Sequence, residues 1–123
     1  MALPKEFRIV KDKDIQATLK SPIAANSKFF RLKTRLKTEG NFRLLVVVSK
    51  KIHKKAYYRN LIKRRVVSIF ENLKSKNQLN LNLDLIILTN NKTVLEANFV
   101  DIYTDLIPAY NYLISKRINR MPK

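Results

Sequence analysis

AYYRNLIKRRVVSIF, residues 56–70, decides how the chain folds. Tyr58, Ile62, Val66, Ile69 and Phe70 recur at 3.6 residues per turn and Leu73 continues the row. The spacing predicts a helix from about Ala56 to Leu73, with Asn60, Lys63, Arg64 and Val67 turned away from its apolar face. The apolar run LLVVV at 44–48 precedes this helix and LDLIILT at 83–89 follows it, and both read as buried strands. A helix between two buried strands implies a parallel crossover, and so a mixed α/β fold.

Upstream, Phe30, Leu32, Thr34 and Leu36 alternate with Arg31, Lys33, Arg35 and Lys37. That period of two predicts a strand with one buried and one basic face. TEGN at 38–41 holds the only glycine, so a hairpin from this strand into the 44–48 strand is the natural reading. In KDKDIQATLK, residues 11–20, Asp12 is placed to cap a short helix that carries Ile15 and Leu19 on one face and stops before Pro22. NLKSKNQLNLN at 72–82 is a polar connector. The tail from Asn98 places Phe99, Ile102, Tyr103, Leu106, Tyr110 and Leu113 at helical spacing, with Asn98 and Asp101 able to cap the start and Pro108 expected to kink it. No internal repeat or long linker divides the 123 residues, so residues 1–123 are expected to form one domain.

Hydrophobic residues make up 46% of the chain, which is enough for a packed core despite 28% charged residues. The net charge is +17, from 26 Lys and Arg against 9 Asp and Glu, and a compact domain this basic repels itself unless it works beside a polyanion. Between Glu39 and Glu71 there is no acid, whereas Arg43, Lys50, Lys51, Lys54, Lys55, Arg59, Lys63, Arg64 and Arg65 all fall there. Solvated faces normally mix signs, so this run points to nucleic acid. A basic amphipathic helix on an acidic membrane is the competing explanation, but its apolar face is needed for the sheet. Absence of cysteine removes disulfides and thiolate sites, and MALPKEFRIVK lacks the apolar run of a signal peptide, so a soluble, cytoplasmic protein without a membrane role is expected.

Catalytic chemistry is thinly represented. His53 is the only histidine and reads as a solvated loop residue, and Gly40 alone cannot build a phosphate loop. Asp12 and Asp14 lie near a helix start, Glu71 and Asp84 on separate elements, and Asp101 and Asp105 read as a helix cap and its solvent face. No independent protein active site or resident metal is expected from these side chains. What remains is binding: Arg59 and Lys63, and Asn60 and Arg64, are i, i+4 neighbours, offering phosphate-binding cations and an amide on one helix. Tyr57 is a further candidate for stacking on RNA. A helix reading the DNA major groove fits less well, because its apolar face is committed to a sheet and no short helix precedes it.

SKKIHKKAYYRNLIKRRVVSIF, residues 49–70, resembles the central signature of the bacterial ribonuclease P protein component. Phe7-Arg8-Ile9, FRLLVVV at 42–48 and Asp84-Leu-Ile-Ile-Leu follow in the family's order. The resemblance implies an α/β (α+β) two-layer sandwich, ribosomal protein S5 domain 2-like, ordered α-β-β-β-α-β-α. It also implies a left-handed β-α-β crossover, where the general rule alone gives a right-handed one. The implied function is that of a protein subunit of an endoribonuclease. It partners a catalytic RNA that removes the 5′ leader of precursor tRNA, with Mg²⁺ held mainly by the RNA and substrate and one protein per RNA. The alternative is a ribosomal or other structural RNA-binding protein.

Carried over by position, Lys50, Lys51, Lys55, Arg59, Asn60, Lys63 and Arg64 match the surface that faces the RNA subunit. Ile15 and Leu19 match an aromatic pair, and Lys33 a strand aromatic, of a cleft between the first helix and the sheet that holds the leader. Arg31 and Arg35 flank Lys33, so leader binding is expected to be more electrostatic than usual, offsetting lost base stacking. The chain departs from the family pattern at Leu61 and Val67, which stand where arginines are usual, and at His53, which replaces a glycine in a loop that reads one residue longer.

Overall fold

The computed structural model describes residues 4–37, 40–76 and 82–120, the last five by their backbone alone. After a short 3-10 turn at Lys5–Phe7 come α1 (Asp12–Leu19), β1 (Ala24–Asn26), β2 (Phe30–Leu36), β3 (Arg43–Val47), α2 (Ala56–Ser75) and β4 (Leu83–Thr89). A 3-10 turn at Lys92–Glu96 then leads into α3 (Phe99–Arg120). The order α-β-β-β-α-β-α is the one the resemblance implies.

The strands lie in the order β1-β2-β4-β3. β3 and β4 are parallel with α2 between them, as the crossover requires, while β2 runs antiparallel to both β1 and β4. β2 and β3 therefore do not form the expected hairpin. β4 inserts between them because Leu83, Asp84, Leu85, Ile86 and Ile87 are buried on both faces of the sheet, and a strand of that kind belongs at its centre. Thr38 and Glu39 of the expected turn lie outside the described residues, while Gly40 takes φ 99°, a left-handed conformation that suits glycine.

One face of the sheet carries Phe30, Leu32 and Thr34 of β2, Leu44 and Val46 of β3, and Leu85 and Ile87 of β4, all buried. The apolar sides of α2 and α3 close over it through Ile62, Val66, Ile69 and Phe70, and Ile102, Leu106, Tyr110 and Leu113. Phe70 sits at the junction, stacked on Phe42 at 5.8 Å and edge-on to Tyr110 at 5.3 Å. Sheet, α2 and α3 are thus the two-layer body. On the reverse face lie Arg35, Asp84 and Arg43 in one row and Lys33, Ile86 and Leu45 in the next, with the short α1 packed across β2 and β4.

Several local expectations change. Asp12 is the first residue of α1 rather than its cap, and Lys11 at the cap makes no side-chain bond to the helix. Tyr58 is 40% exposed, its ring neighbours being His53 and Tyr57. Val67 is half-buried against the core instead of facing outward. Phe99 and Tyr103 are exposed, the buried row of α3 being Ile102, Leu106, Ala109, Tyr110 and Leu113. Asn98 and Asp101 do cap α3, reciprocally: the Asp101 amide donates to the Asn98 side chain at 2.9 Å and the Asn98 amide to the Asp101 carboxylate at 3.2 Å. The helix then continues through the exposed Pro108 to Arg120.

Candidate nucleic-acid interface

The loop between β3 and α2 presents its lysines because two other residues hold it. Ile52 is buried in the core, and His53 accepts a bond from the Lys55 amide through Nδ1 at 3.0 Å while its ring packs 4.4 Å from Tyr58. His53 is accordingly a half-buried brace, not a solvated residue. With that brace in place Lys50, Lys51, Lys54 and Lys55 are all exposed, and Tyr57, 68% exposed, stands edge-on to Tyr58 at 5.2 Å.

Along α2, Asn60 and Arg64 are exposed, and Arg59 and Lys63 are half-buried. Arg59 Nε is shielded from solvent and has no hydrogen-bond partner among the described residues. Lys63 lies beside Val67 at a hollow of about 250 Å³ whose other walls include Arg8, Val10 and Leu45. Arg65 behaves differently from its neighbours: its Nη1 donates to the Ala97 carbonyl at 2.8 Å, tying α2 to the segment before α3. The sequence places Lys50, Lys51, Lys55, Arg59, Asn60, Lys63 and Arg64 together, and the fold does bring them to the loop and first turns of one helix. Arg65 has a structural bond instead.

The reverse face of the sheet is the second surface. Ile15 and Leu19 are half-buried on α1, above a sheet whose uncovered part exposes Leu45, Val47 and Leu88 in part. Lys33 is half-buried, with Nζ donating to the Ser21 carbonyl at 3.2 Å, and Arg31 is exposed with a long 3.4 Å bond to Asn26. Arg35 does not stand beside them as a free cation. Its guanidinium is 2.8 Å from Asp84 and 3.3 Å from Asp14.

Asp84 is the centre of this arrangement. Its side chain is fully buried on the central strand and is met by Arg35 at 2.8 Å, Arg43 at 2.8 Å and Lys37 at 2.9 Å, while Arg43 also reaches Asp14 at 3.3 Å. Burial pushes the Asp84 carboxyl up, but hydrogen bonds from Arg43, Lys37 and Arg35 outweigh it and hold the group below its ordinary value. The bond to Asp84 correspondingly raises Arg43. The sequence signal for this cluster is one charged residue inside the apolar run LDLIILT, facing an alternating basic strand. Asp105, read as solvent-facing, is also engaged: it accepts bonds from Ser27 Oγ at 2.6 Å, the Lys28 amide at 2.9 Å and the Phe29 amide at 3.0 Å. Among the described residues no group of three His, Cys, Asp or Glu side chains is arranged to hold a metal ion, and no helix is long and apolar enough to cross a membrane.

The family model for ribonuclease P matches residues 3–113. The chain belongs to the ribonuclease P protein family. A ribonuclease P protein from Staphylococcus aureus, solved as a mutant with defective mRNA degradation activity, shares 30% sequence identity with it at a TM-score of 0.74, over 91% of this chain and 90% of that one. Another structure of the Staphylococcus aureus protein is 29% identical with a TM-score of 0.73, over 88% and 95% of the two chains. The ribonuclease P protein from Thermotoga maritima shares the fold at 24% identity and a TM-score of 0.70, over 82% and 92%. No curated protein sequence matches significantly. As a ribonuclease P protein component the chain is a subunit of an endoribonuclease of tRNA processing, and its family partner is ribonuclease P RNA.

Proposed function

We propose that this ribonuclease P protein binds its RNA subunit through the β3–α2 loop and the first turns of α2, and the 5′ leader of precursor tRNA through the α1–sheet cleft. The observation that carries the first part is the one-signed array on α2. Lys50, Lys51, Lys55, Arg59, Asn60, Lys63 and Arg64 share the loop and helix start, with Lys50, Lys51, Lys55, Asn60 and Arg64 exposed and Arg59 and Lys63 half-buried at the border of the apolar face. For the second part, Ile15 and Leu19 supply apolar contact to bases while Arg31 and Lys33 face phosphates at the open side. Arg35 is withdrawn from this set by Asp14 and Asp84.

Among the described residues no three carboxylates are grouped to hold a catalytic Mg²⁺. Asp14 and Asp84 are engaged by Arg35, Lys37 and Arg43, and Asp105 accepts three hydrogen bonds. We therefore assign the metal to the RNA and substrate, where it supplies water activation and leaving-group stabilisation. The protein's part is to neutralise phosphate charge and to hold the leader beside the RNA, one protein to each RNA, in the cytoplasm.

The test is cleavage of precursor tRNA by the ribonuclease P RNA of the same source at low Mg²⁺, with and without the protein. Stimulation by the wild type that disappears in an Arg59→Ala, Lys63→Ala, Arg64→Ala variant is the expected result. A chain that binds the RNA without stimulating cleavage overturns the assignment in favour of a structural RNA-binding role.

A further inference from the structure

Asp14 is the point at which α1 is joined electrostatically to the sheet. Its two carboxylate oxygens face Arg35 of β2 and Arg43 of β3, each at 3.3 Å, and both guanidiniums continue to the buried Asp84 of β4 at 2.8 Å. The chain of contacts thus runs from a short helix, through two arginines on different strands, to a carboxylate fixed in the centre of the sheet.

α1 needs such an attachment. It has eight residues and lacks a side-chain cap, and helices of two turns do not persist in water without tertiary contacts. Only Thr18 on it is fully buried, its hydroxyl donating to the Asp14 carbonyl at 2.8 Å, whereas Ile15 and Leu19 are half-buried. Ile15 follows Asp14 directly and Leu19 lies one turn further on, so the seat of Asp14 sets the height and rotation at which both overhang the sheet.

We propose that Asp14 is a positioning residue for leader binding, latching α1 onto Arg35 and Arg43 so that Ile15 and Leu19 form a wall of fixed geometry over Leu45, Ile86 and Leu88. The inference rests on the assignment of the α1–sheet cleft to the leader. It also explains why two arginines point into that face without being free for phosphate: Asp14 and Asp84 occupy them at the end of the cleft where α1 is seated. Arg31 and Lys33 are left toward its open side.

A latch and a simple acidic repellent differ in sign. If Asp14 did no more than repel RNA, removing its charge would raise affinity for every RNA. A latch predicts that Asp14→Asn, which keeps size but loses one anionic oxygen, lowers only the part of the affinity that depends on the leader.

The experiment loads wild type, Asp14→Asn and Asp14→Glu onto the ribonuclease P RNA and measures the ratio of affinities for precursor over mature tRNA under conditions that slow cleavage. Two partly exposed ion pairs set the scale, so Asp14→Asn should lower that ratio by about fivefold, with Asp14→Glu recovering part of it. Affinity of the protein for the RNA subunit should stay within about twofold, since that surface is on α2. A merely structural role for Asp14 would lower thermal stability while leaving the ratio unchanged, and that result overturns the proposal. A rise in affinity for both tRNAs overturns it in favour of repulsion. A wild-type ratio of one shows that the cleft assignment itself is wrong, and the latch falls with it; a wild-type ratio above one that Asp14→Asn preserves removes the latch alone.

Discussion

Replacing Asp84 with asparagine removes the only charge fully buried on the central strand while keeping its shape. In the wild type this carboxylate is met by Arg35, Arg43 and Lys37 at 2.8–2.9 Å, on a strand buried on both faces. Asparagine keeps one acceptor oxygen and turns an amide donor toward three cations. Removing one partner of a buried ion pair costs about 3–5 kcal/mol. The cations retain 29%, 22% and 16% of their side-chain exposure and two of them keep Asp14, which places the expected loss at the lower end, about 3 kcal/mol. With a urea slope of about 1.5–2 kcal/mol/M, suited to a chain of this length, the midpoint should fall by about 1.5–2 M.

Urea titration at neutral pH, followed by far-UV circular dichroism, measures this directly. A second arm uses acid. Asp84 is held below its ordinary value of 3.8, so the unfolded chain binds its proton more readily than the folded one. The stability it contributes is present above that value and is lost as pH falls through the lower folded value. The wild-type midpoint should therefore drop more steeply below about pH 3.8 than that of Asp84→Asn, and the difference between the two should shrink there. A midpoint shift below about 0.3 M at neutral pH, or parallel acid profiles for the two proteins, would refute the view that this cluster anchors the reverse face.

Asp105→Ala leaves the Ser27 hydroxyl and the Lys28 and Phe29 amides without their acceptor. The expected loss is about 2–3 kcal/mol in thermal or urea unfolding, with faster hydrogen exchange at the Phe29 amide as the local signature. Arg64 and Arg65 should separate cleanly although they are adjacent. Arg65→Ala, losing the bond to the Ala97 carbonyl, should lower Tm by a few degrees with RNA affinity scaled only by the folded fraction. Arg64→Ala, at an exposed position, should leave Tm unchanged and weaken binding of the ribonuclease P RNA in a filter or mobility assay.

The parts of the fold that were legible are those with one dominant pattern. The 3.6-residue row in 56–73, the apolar run at 44–48 and the largely apolar run at 83–89, broken only by Asp84 before its closing Thr89, specified α2, β3, β4 and their parallel relation, because each pattern is enforced by burial. The strand order was not legible locally. A glycine-bearing turn between two strand patterns reads as a hairpin, and only the double-sided burial of Leu83–Ile87 shows that β4 must separate them. Tyr58, Phe99 and Tyr103 fell on helical rows but stand at helix starts, where a row can extend past the core that would cover it. The cations of α2 could be gathered from sequence because one helix carries them. The roles of Asp14, Arg35 and Arg43 could not, since their partners lie on three separate elements and nothing in local spacing brings these to Asp84.

That last difference changes how the positive charge is distributed over function. The alternation at 30–37 reads as a basic strand face, with three cations available to the leader. Of these Arg35 is held by two carboxylates, and Lys33 has a carbonyl partner, which leaves its charge but fixes its reach. Lys37 and Arg43, on the same face, are likewise spent on Asp84. Three cations and two carboxylates leave the cluster with a residual charge of about one, which a neighbouring phosphate senses weakly across a screened distance. Among the described residues, by contrast, none of Lys50, Lys51, Lys54, Lys55, Arg59, Lys63 and Arg64 shares an ion pair with an acid. Counterion release follows the number of phosphates neutralised, so the steep salt dependence expected of so basic a chain should reside in contacts made by the loop and α2. On the proposed assignment of the cleft to the leader, Arg31 and Lys33 at its rim and the half-buried Ile15, Leu19, Leu45 and Leu88 would hold that strand more by apolar contact and position than the sequence pattern alone suggests.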